Sequence, residues 1–223
     1  MRQIGPKEPA SPALRRRQSS AEGGPQLRGR RYRCDELSLK IPAVIPSFAA
    51  ITKARGSAWS VGVARQVFGR CPPFTAARLT TNTLRLLGVR IGTASVFWGM
   101  PELAGEGDVC SRLRIGTYCG FNVRTYFELA NEITIGDHVA VGQDVMFLTR
   151  GYDSSNPAQR GGATISAPIE IGNGAWLGAR VTVMPGVKIG PGSVIGASVV
   201  VSKDVPANML VMGTRTISLA KWR

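Results

Sequence analysis

The chain has 223 residues, which is enough for one domain with a sizeable core and too few for a multidomain machine. It carries 28 Lys and Arg residues against 14 Asp and Glu residues, giving a formal net charge of +14. Residues 1–40 hold ten of the basic and four of the acidic residues, so nearly half of the excess charge lies in less than a fifth of the chain. Size and composition together exclude a disulfide-stabilised mini-protein.

The sequence shows no pattern for membrane insertion, secretion or metal binding. Its longest apolar stretch, residues 41–51, is too short to cross a bilayer and contains two prolines. An arginine run at 15–17 is followed by polar residues rather than by the apolar core of a signal peptide. The four cysteines show no CxxC spacing, and one histidine accompanies them. We therefore expect a cytoplasmic protein with reduced thiols and no bound metal.

Residues 1–36 are rich in Arg, Ser, Gly, Gln and Pro and lack aliphatic periodicity. Such a segment buries too little apolar surface to offset the entropy lost on ordering, so it predicts a disordered basic tail. Tyr32 is the one aromatic residue among its charges, and we expect no nucleic-acid partner. The positive charge offers weak contact with an anionic membrane surface, and a tail that is simply solvated is the alternative.

Residues 37–90 predict a helical cap. The spacing of apolar residues indicates one helix over 57–70, and a Pro-Pro pair opens a second over 74–87 that a glycine ends. We expect the first helix to pack on the main domain through the face formed by Trp59, Val63 and Val67. A membrane-surface helix with a solvated arginine face is the alternative.

From about residue 109 the apolar period becomes six. Its clearest part is the comb of Ile171, Leu177, Val183, Ile189, Ile195 and Val201. A second comb lies two residues earlier, and the first continues upstream with a slip of two residues between Phe127 and Ile135. Residues 150–168 interrupt the comb and predict one long loop, which inside a tight repeat is usually functional.

A six-residue comb predicts a prism of stacked coils. Each hexad gives a short strand with an inward aliphatic residue and a turn, and three hexads close one coil, so stacked residues lie 18 positions apart. Residues 91–208 predict about four such coils with parallel strands. The helices and a C-terminal cap at 209–223 are expected to cover the open ends.

The segment from Pro168 to Asn208 resembles the hexapeptide-repeat acyltransferases, whose pattern PxxIGxxxWIGxxxxxxPGVxIG with a terminal KDxP it follows almost throughout. The resemblance covers roughly residues 84–215. It is closest to the branch with galactoside and maltose O-acetyltransferases and surface-polysaccharide acetyltransferases. It implies an all-β fold, a left-handed parallel β-helix, and an acetyl-CoA-dependent O-acetyltransferase acting on a sugar, exopolysaccharide or polysaccharide precursor.

In this family a loop histidine within LTxGHD removes the proton of the acceptor hydroxyl. The corresponding residues 148–153 read LTRGYD, so Tyr152 stands where the family has histidine. A tyrosine is a poor base at neutral pH unless its pKa is lowered, for which Arg150 is the nearest candidate. Asp153 is the other candidate base, with a loop turn cap as its structural alternative. His138, the sole histidine, is expected at an outward-facing turn.

The resemblance also implies a set of donor-site residues. Asn122 corresponds to a residue near the thioester or the acceptor, and a buried asparagine bridging two coils is the alternative. Small residues stacked along the prism admit the pantetheine arm, and a lysine near the end meets the CoA phosphates. The implied cofactor-binding residues are Asn122, Trp176, Ala179, Ala197, Ser202 and Lys203. Tight turns and outer-face packing are the structural alternatives for the alanines and Trp176.

One departure from the family concerns phosphate binding. The family often has arginines where this chain has Ile217 and Ala220, and Arg215 is the cation that can compensate. We expect a homotrimer with donor sites between subunits and a sugar or glycan acceptor, because one face of the prism carries few charges and the long loop needs a neighbour. The competing interpretation is a catalytically impaired β-helix subunit serving as a binding or assembly protein.

Overall fold

The computed structural model describes residues 58–68, 74, 76–213 and 215–219. The predicted tail, and the part of the predicted cap before Ala58, lie outside these residues. No helix in the described part of the chain is long and apolar enough to cross a membrane.

Two helices precede the repeats, as predicted. They are α1 (Ala58–Phe68) and α2 (Ala77–Leu87). The second helix is amphipathic and buries Thr80, Thr81, Leu84 and Leu87. It ends because Gly88 adopts a left-handed conformation with φ of 110°, from which its N–H bonds back to the last turn. Helix α2 covers the first coil, and α1 packs on α2 and on the same coil.

The predicted packing face of α1 can be compared with the structure at one of its three residues, Val63. The side chains that α1 buries are Ser60, Val61 and Ala64, and Val63 is half-buried. The side chains of Trp59 and Val67 are outside the described set. The buried residues lie about 100° around the helix from the predicted stripe, because a short helix with apolar residues on several sides gives an ambiguous moment.

The repeats form nineteen strands within the described residues. In chain order they are β1 (Arg90–Ile91), β2 (Val96–Phe97), β3 (Glu102–Ala104), β4 (Leu113–Ile115), β5 (Gly120–Phe121), β6 (Tyr126–Glu128), β7 (Ile133–Ile135), β8 (Ala140–Val141), β9 (Met146–Leu148), β10 (Arg150–Tyr152), β11 (Thr164–Ser166), β12 (Ile169–Ile171), β13 (Trp176–Leu177), β14 (Thr182–Val183), β15 (Lys188–Ile189), β16 (Val194–Ile195), β17 (Val200–Val201), β18 (Met209–Met212) and β19 (Arg215–Ser218).

These strands make the three walls of a parallel β-solenoid. Sheet 1 contains β1, β4, β7, β12 and β15; sheet 2 contains β2, β5, β8, β13, β16, β18 and β19; sheet 3 contains β3, β6, β9, β14 and β17. Pairing within the walls is parallel except between β18 and β19, which close the end of sheet 2. The predicted all-β class of stacked parallel coils is therefore confirmed.

The described residues form five complete coils and the start of a sixth, so the predicted count of about four is too low. The sixth begins with a bridge between Ile189 and Val205 and continues in β18. Stacked positions lie 24, 20, 36 and 18 residues apart rather than uniformly 18. The sheet 1 stack of Ile91, Ile115, Ile135, Ile171 and Ile189 has this spacing.

This unevenness lies at one corner of the prism and in the strands that flank it. The first corner, between sheets 1 and 2, and the second, between sheets 2 and 3, take four residues in every complete coil. The third corner, from sheet 3 back to sheet 1, takes the segments 105–112, 129–132, 149–168 and 184–187. The first of these contains a 3₁₀ turn, and the third is the predicted loop.

Both combs point into the prism. The first comb from Ile171 to Val201 is buried throughout, and so is the second, in which Ser193 is the polar member. The Ser193 hydroxyl donates to the Pro206 carbonyl at 2.8 Å, so its burial leaves no unpaired oxygen. Nearer the N-terminus, aromatic rings fill the core, namely Phe97, Phe121, Phe127 and Phe147.

The long loop is not free of regular structure, although the sequence predicts only a loop. Strands β10 and β11 form an antiparallel hairpin in which Arg150 pairs with Ser166 and Tyr152 with Thr164. The period-six search misses this hairpin because its strands turn away from the coils. Cys110 and Cys119 are free, buried thiols in the coil region, and burial raises the pKa of Cys110 to about 12.

Candidate active site

The loop hairpin holds the two residues proposed as bases. Tyr152 ends β10 with 62% of its side chain exposed, and Asp153 follows it. Because alternate residues of a strand share a face, Arg150 and Tyr152 lie on the same side of β10. The hairpin therefore presents the LTRGYD tyrosine to solvent rather than to the wall of its own chain.

Arg150 forms ion pairs with two carboxylates. Its Nε lies 3.2 Å from Oε1 of Glu128, in a geometry that makes an ion pair without a hydrogen bond. An Nη2 contact at 4.0 Å joins it to Glu106. These two negative charges offset the positive charge of Arg150.

Asp153 has the surroundings of a turn residue. Its carboxylate accepts hydrogen bonds from the backbone N–H of Ser155 at 2.9 Å and from the Ser155 hydroxyl at 3.1 Å. These bonds hold the pKa of Asp153 below its usual value, and the side chain is solvent-exposed. A general base at neutral pH needs a pKa shifted upward, so the turn-cap alternative describes this residue better.

His138 lies at the first corner, with a left-handed φ of 57°. Its exposed ring stacks on Tyr118 with centroids 5.0 Å apart and an interplanar angle of 1°. The corner is a different edge of the prism from the one that bears the loop. No group of three or more His, Cys, Asp or Glu side chains within the described ranges is arranged to hold a metal ion.

The second corner brings together three of the candidate donor residues. Asn122 lies in this corner of the second coil, and Ala179 and Ala197 occupy it in the fourth and fifth coils. The alanines stack as their 18-residue separation predicts, since the Ser198 N–H donates to the Ala179 carbonyl at 2.8 Å. From Asn122 to Ala197 the edge covers three coil spacings, about 14 Å at ~4.8 Å each.

Close packing at this corner requires residues without side chains. A Cβ added to Gly142 would lie 2.7 Å from the Ala179 nitrogen, and one added to Gly178 would lie 2.8 Å from the Ala197 nitrogen. Asn122 itself is half-buried and caps its own turn, because its Oδ1 accepts the Val123 N–H at 2.8 Å. The coils therefore pack closely at this corner, and the column that holds Ala179 and Ala197 has the exposed Gln143 in the third coil.

Sequence reasoning missed the charges beside this edge. Arg124 and Asp144 form a bidentate pair at 2.5 and 2.7 Å across adjacent coils, and this pairing holds the pKa of Asp144 low. Arg180, next to Ala179, adds a second positive charge beside Asp144. Each of the three has a positive φ, which marks the same outward position of the corner. Their separations of 20 and 36 residues do not fit the 18-residue repeat, so the sequence pattern gave no signal for them.

The remaining donor candidates lie elsewhere. Trp176 is exposed on the outer face of sheet 2, where β13 begins directly after the first corner. Ser202 and Lys203 are exposed at the third corner, across β17 from Ala197. Arg215 pairs with Met212, whose side chain lies near Gly196, so Arg215 is at the lower end of the second corner.

The candidates therefore divide between two edges of one chain. Asn122, Ala179 and Ala197 share the second corner, while Tyr152 and Lys203 belong to the third. Sheet 3 lies between the two sets.

Glu128 and Thr149, at the root of the loop, were not identified from the sequence. Their separation of 21 residues does not fit the 18-residue repeat that the sequence suggests. Tyr126 lies on the same outer face, and burial followed by the charges of Glu102 and Glu128 raises its pKa. That shift keeps Tyr126 protonated and makes it a poor base.

Comparison with known proteins identifies the family. A family model described as bacterial transferase hexapeptide (six repeats) matches residues 168–203. The chain is 37% identical over 105 residues to galactoside O-acetyltransferase of Escherichia coli (strain K12), covering 46% of this chain and 51% of that protein. It is 35% identical over 136 residues to the putative colanic acid biosynthesis acetyltransferase WcaF of the same strain, covering 60% and 70%.

A solved structure has the same fold. The hexapeptide-repeat containing acetyltransferase of Vibrio cholerae O1 biovar eltor, complexed with acetyl coenzyme A, matches with a TM-score of 0.59 and 28% identity over 76% of this chain and 87% of that chain. The chain spans about half the length of the galactoside relative and more of the other two. These matches confirm the resemblance read from residues 168–208: the chain belongs to the hexapeptide-repeat acyltransferase family.

Proposed function

We propose that the protein is an acetyl-CoA-dependent O-acetyltransferase acting on a sugar, an exopolysaccharide or a polysaccharide precursor. The observation that carries the proposal is the second corner of the fourth and fifth coils, where the small residues Ala179 and Ala197 stack beside close-packed glycines. The similarity to a structure in complex with acetyl coenzyme A supports the donor, and the galactoside and colanic acid relatives support a carbohydrate acceptor.

In the proposed reaction an acceptor hydroxyl attacks the thioester carbonyl. The new carbon–oxygen bond forms as the carbon–sulfur bond breaks, the hydroxyl proton passes to a base, and the departing CoA thiolate takes up a proton. Tyr152 occupies the family position for that base, and Asp153 is the nearest alternative. In this proposal Asn122, at the second corner, donates its amide to the thioester or the acceptor.

We propose a homotrimer in which the second corner of one subunit meets the third corner of its neighbour. This arrangement would join the two sets of candidates that a single chain keeps apart. The outer face of sheet 2 supports such contact, because its outward residues in the five complete coils are uncharged, namely Val96, Gly120, Ala140, Trp176 and Val194.

We expect light scattering at micromolar concentration to give three times the mass of one 23.8 kDa chain. Ala140→Glu, which places a charge on the uncharged face, should shift the mass toward the monomer. Thr134→Glu, at the matching outward position of sheet 1, is the control and should leave the trimer intact. A monomeric wild-type chain would contradict the proposed assembly.

The competing function is a non-catalytic binding or assembly subunit. The observation that favours it is Tyr152 in place of the family histidine. Binding of CoA separates the two functions, because a scaffold has no need of a donor site. Mass spectrometry of reactions with acetyl-CoA and a panel of glycan acceptors is the direct test of the enzyme: an acetylated glycan supports it, and no product with any acceptor counts against it.

Lys203→Ala should weaken CoA binding about tenfold, because a charge-assisted contact to a phosphate is worth roughly 1.5–3 kcal/mol when well formed and less at an exposed site. The difference in CoA affinity between wild type and variant should shrink as salt is raised from 50 to 500 mM, because screening also weakens the wild-type contact. Calorimetry measures the affinities and their salt dependence. Lys188→Ala, an exposed lysine paired with Glu170 on sheet 1, is the matched control. Equal affinities for wild type and Lys203→Ala would remove Lys203 from the donor site.

A further inference from the structure

The loop begins at Thr149, which several hydrogen bonds hold in place. Thr149 is fully buried, and its N–H donates to Oε2 of Glu128 at 3.0 Å. Its hydroxyl lies 2.9 Å from the same carboxylate oxygen and 2.7 Å from the Glu128 carbonyl oxygen. The Asn131 N–H donates to the Thr149 hydroxyl oxygen at 3.0 Å. The first residue of the loop is thus fixed to the coil above it.

The returning end of the loop is fixed to the same place. The Ala167 N–H donates to the Thr149 carbonyl at 2.9 Å, and Nδ2 of Asn131 donates to the Ser166 hydroxyl at 3.4 Å. Both ends of the 149–168 insertion therefore meet at one short stretch of the second coil, which includes Glu128.

The second oxygen of Glu128 sets the orientation of the hairpin. Oε1 lies 3.2 Å from Nε of Arg150, and the Glu128 side chain is only 14% exposed. A Cβ built on Gly151 would lie 3.7 Å from the Pro185 side chain, so Gly151 faces the coil wall. Arg150 and Tyr152 therefore project from the opposite side of β10. The side of β10 that carries Tyr152 is therefore the side from which Arg150 pairs with Glu128.

We propose that Glu128 is a positioning residue, which holds the hairpin through Thr149 and Arg150 so that residues 152–153 reach the reacting groups. The inference rests on the proposed acyltransferase function. In it, Glu128 orients the loop and does not contact the substrate. One oxygen of its carboxylate accepts a hydrogen bond from Thr149, and the other pairs with Arg150. We expect loss of the Glu128 charge to leave the coils intact and to let the hairpin change its orientation.

The test compares Glu128→Gln with Glu132→Gln. Glu132 lies four residues further on, is half exposed in its pair with Arg114, and is the matched control. Glu128→Gln should lower kcat for acetyl transfer about 10- to 100-fold, since small misplacements of a reacting group cost up to that much. KM for acetyl-CoA and the Kd for CoA should stay unchanged. Hydrogen exchange of amides 150–166 should quicken in this variant alone.

A double variant with Tyr152→Phe separates a positioning role from an independent one. If Glu128 acts through the hairpin, the two effects should be non-additive, and simple additivity would overturn the proposal. Should Glu128→Gln fold poorly, Thr149→Val removes the hydroxyl at constant shape and should show the same pattern more weakly. Unchanged kcat together with unchanged exchange in either variant also overturns it.

The exchange measurement keeps this proposal distinct from the proposed function. A wild-type chain that binds CoA and transfers no acetyl group contradicts the enzyme. Even if the wild type is inactive, faster hydrogen exchange of amides 150–166 in Glu128→Gln would support the role of Glu128 in orienting the loop. Unchanged exchange would contradict that role.

Discussion

Replacing Tyr152 by histidine is expected to raise acetyl transfer about 100- to 10,000-fold, the usual contribution of a general base. The substitution puts an imidazole with an ordinary pKa of about 6.5 where the family has histidine, and the surrounding LTRGYD motif is otherwise complete. Tyr152 is exposed on a hairpin strand, so the smaller ring fits without repacking. Steady-state kinetics with acetyl-CoA and a glycan acceptor measure the gain.

Tyr118→His is the matched control for this substitution. Tyr118 has the same 62% exposure but lies at the first corner, so the rate should not change. Tyr152→Phe then identifies the working group in the wild type. A large loss assigns proton removal to the Tyr152 hydroxyl, and an unaffected, active enzyme moves that role to Asp153, His138 or water. No gain with Tyr152→His, despite measured CoA binding, would contradict the catalytic role of the loop.

Phe127→Ala is expected to lower the free energy of unfolding by about 3–5 kcal/mol, the range for phenylalanine truncations in a packed core. Phe127 is fully buried and stacks on Phe147 with ring centroids 5.0 Å apart. It also meets Phe97 and Phe121 at 6.5 and 6.0 Å. These rings come from three successive coils, so the cavity would open in the middle of the stack where the rigid walls cannot collapse.

Phe74→Ala removes the same side chain from a site that is 57% exposed, where it pairs with Trp98. This control should lose about 1 kcal/mol or less, because little apolar surface leaves contact with protein. Urea unfolding followed by circular dichroism gives both values. Similar losses at the two positions would mean that the aromatic column is not the stabilising core of the solenoid.

The coils with regular spacing were predictable from the sequence. From Ile169 to Val201 the repeat has no insertion, so every sixth residue points inward and the positions 18 apart, such as Ala179 and Ala197, stack. Period alone fixes the inward residues and the stacking of the two alanines there, since one side chain per hexad faces the core. The family resemblance rests on the same segment.

The coil count and the cross-coil contacts were not predictable in this way. Between Leu103 and Ile115, between Phe127 and Ile135, and across the loop, the third corner adds residues, which breaks the phase of the comb. The contacts of Glu128 with Thr149 and of Arg124 with Asp144 join residues 21 and 20 apart, and those partners become neighbours only when each insertion is placed correctly. The β10–β11 hairpin is equally hidden, because its pairing is local and lies outside the stack.

Confinement of the inserted segments to the third corner has an evolutionary consequence. An extra residue at the first or second corner would turn the inward side chains of the following strand outward and so disrupt the core. At the third corner, segments of 4, 8 and 20 residues are all accommodated while the walls stay in register. New loops can therefore arise at the third corner without disturbing the stacked alanines of the second. On the proposed function, a lineage built on this solenoid could change its acceptor while keeping its donor.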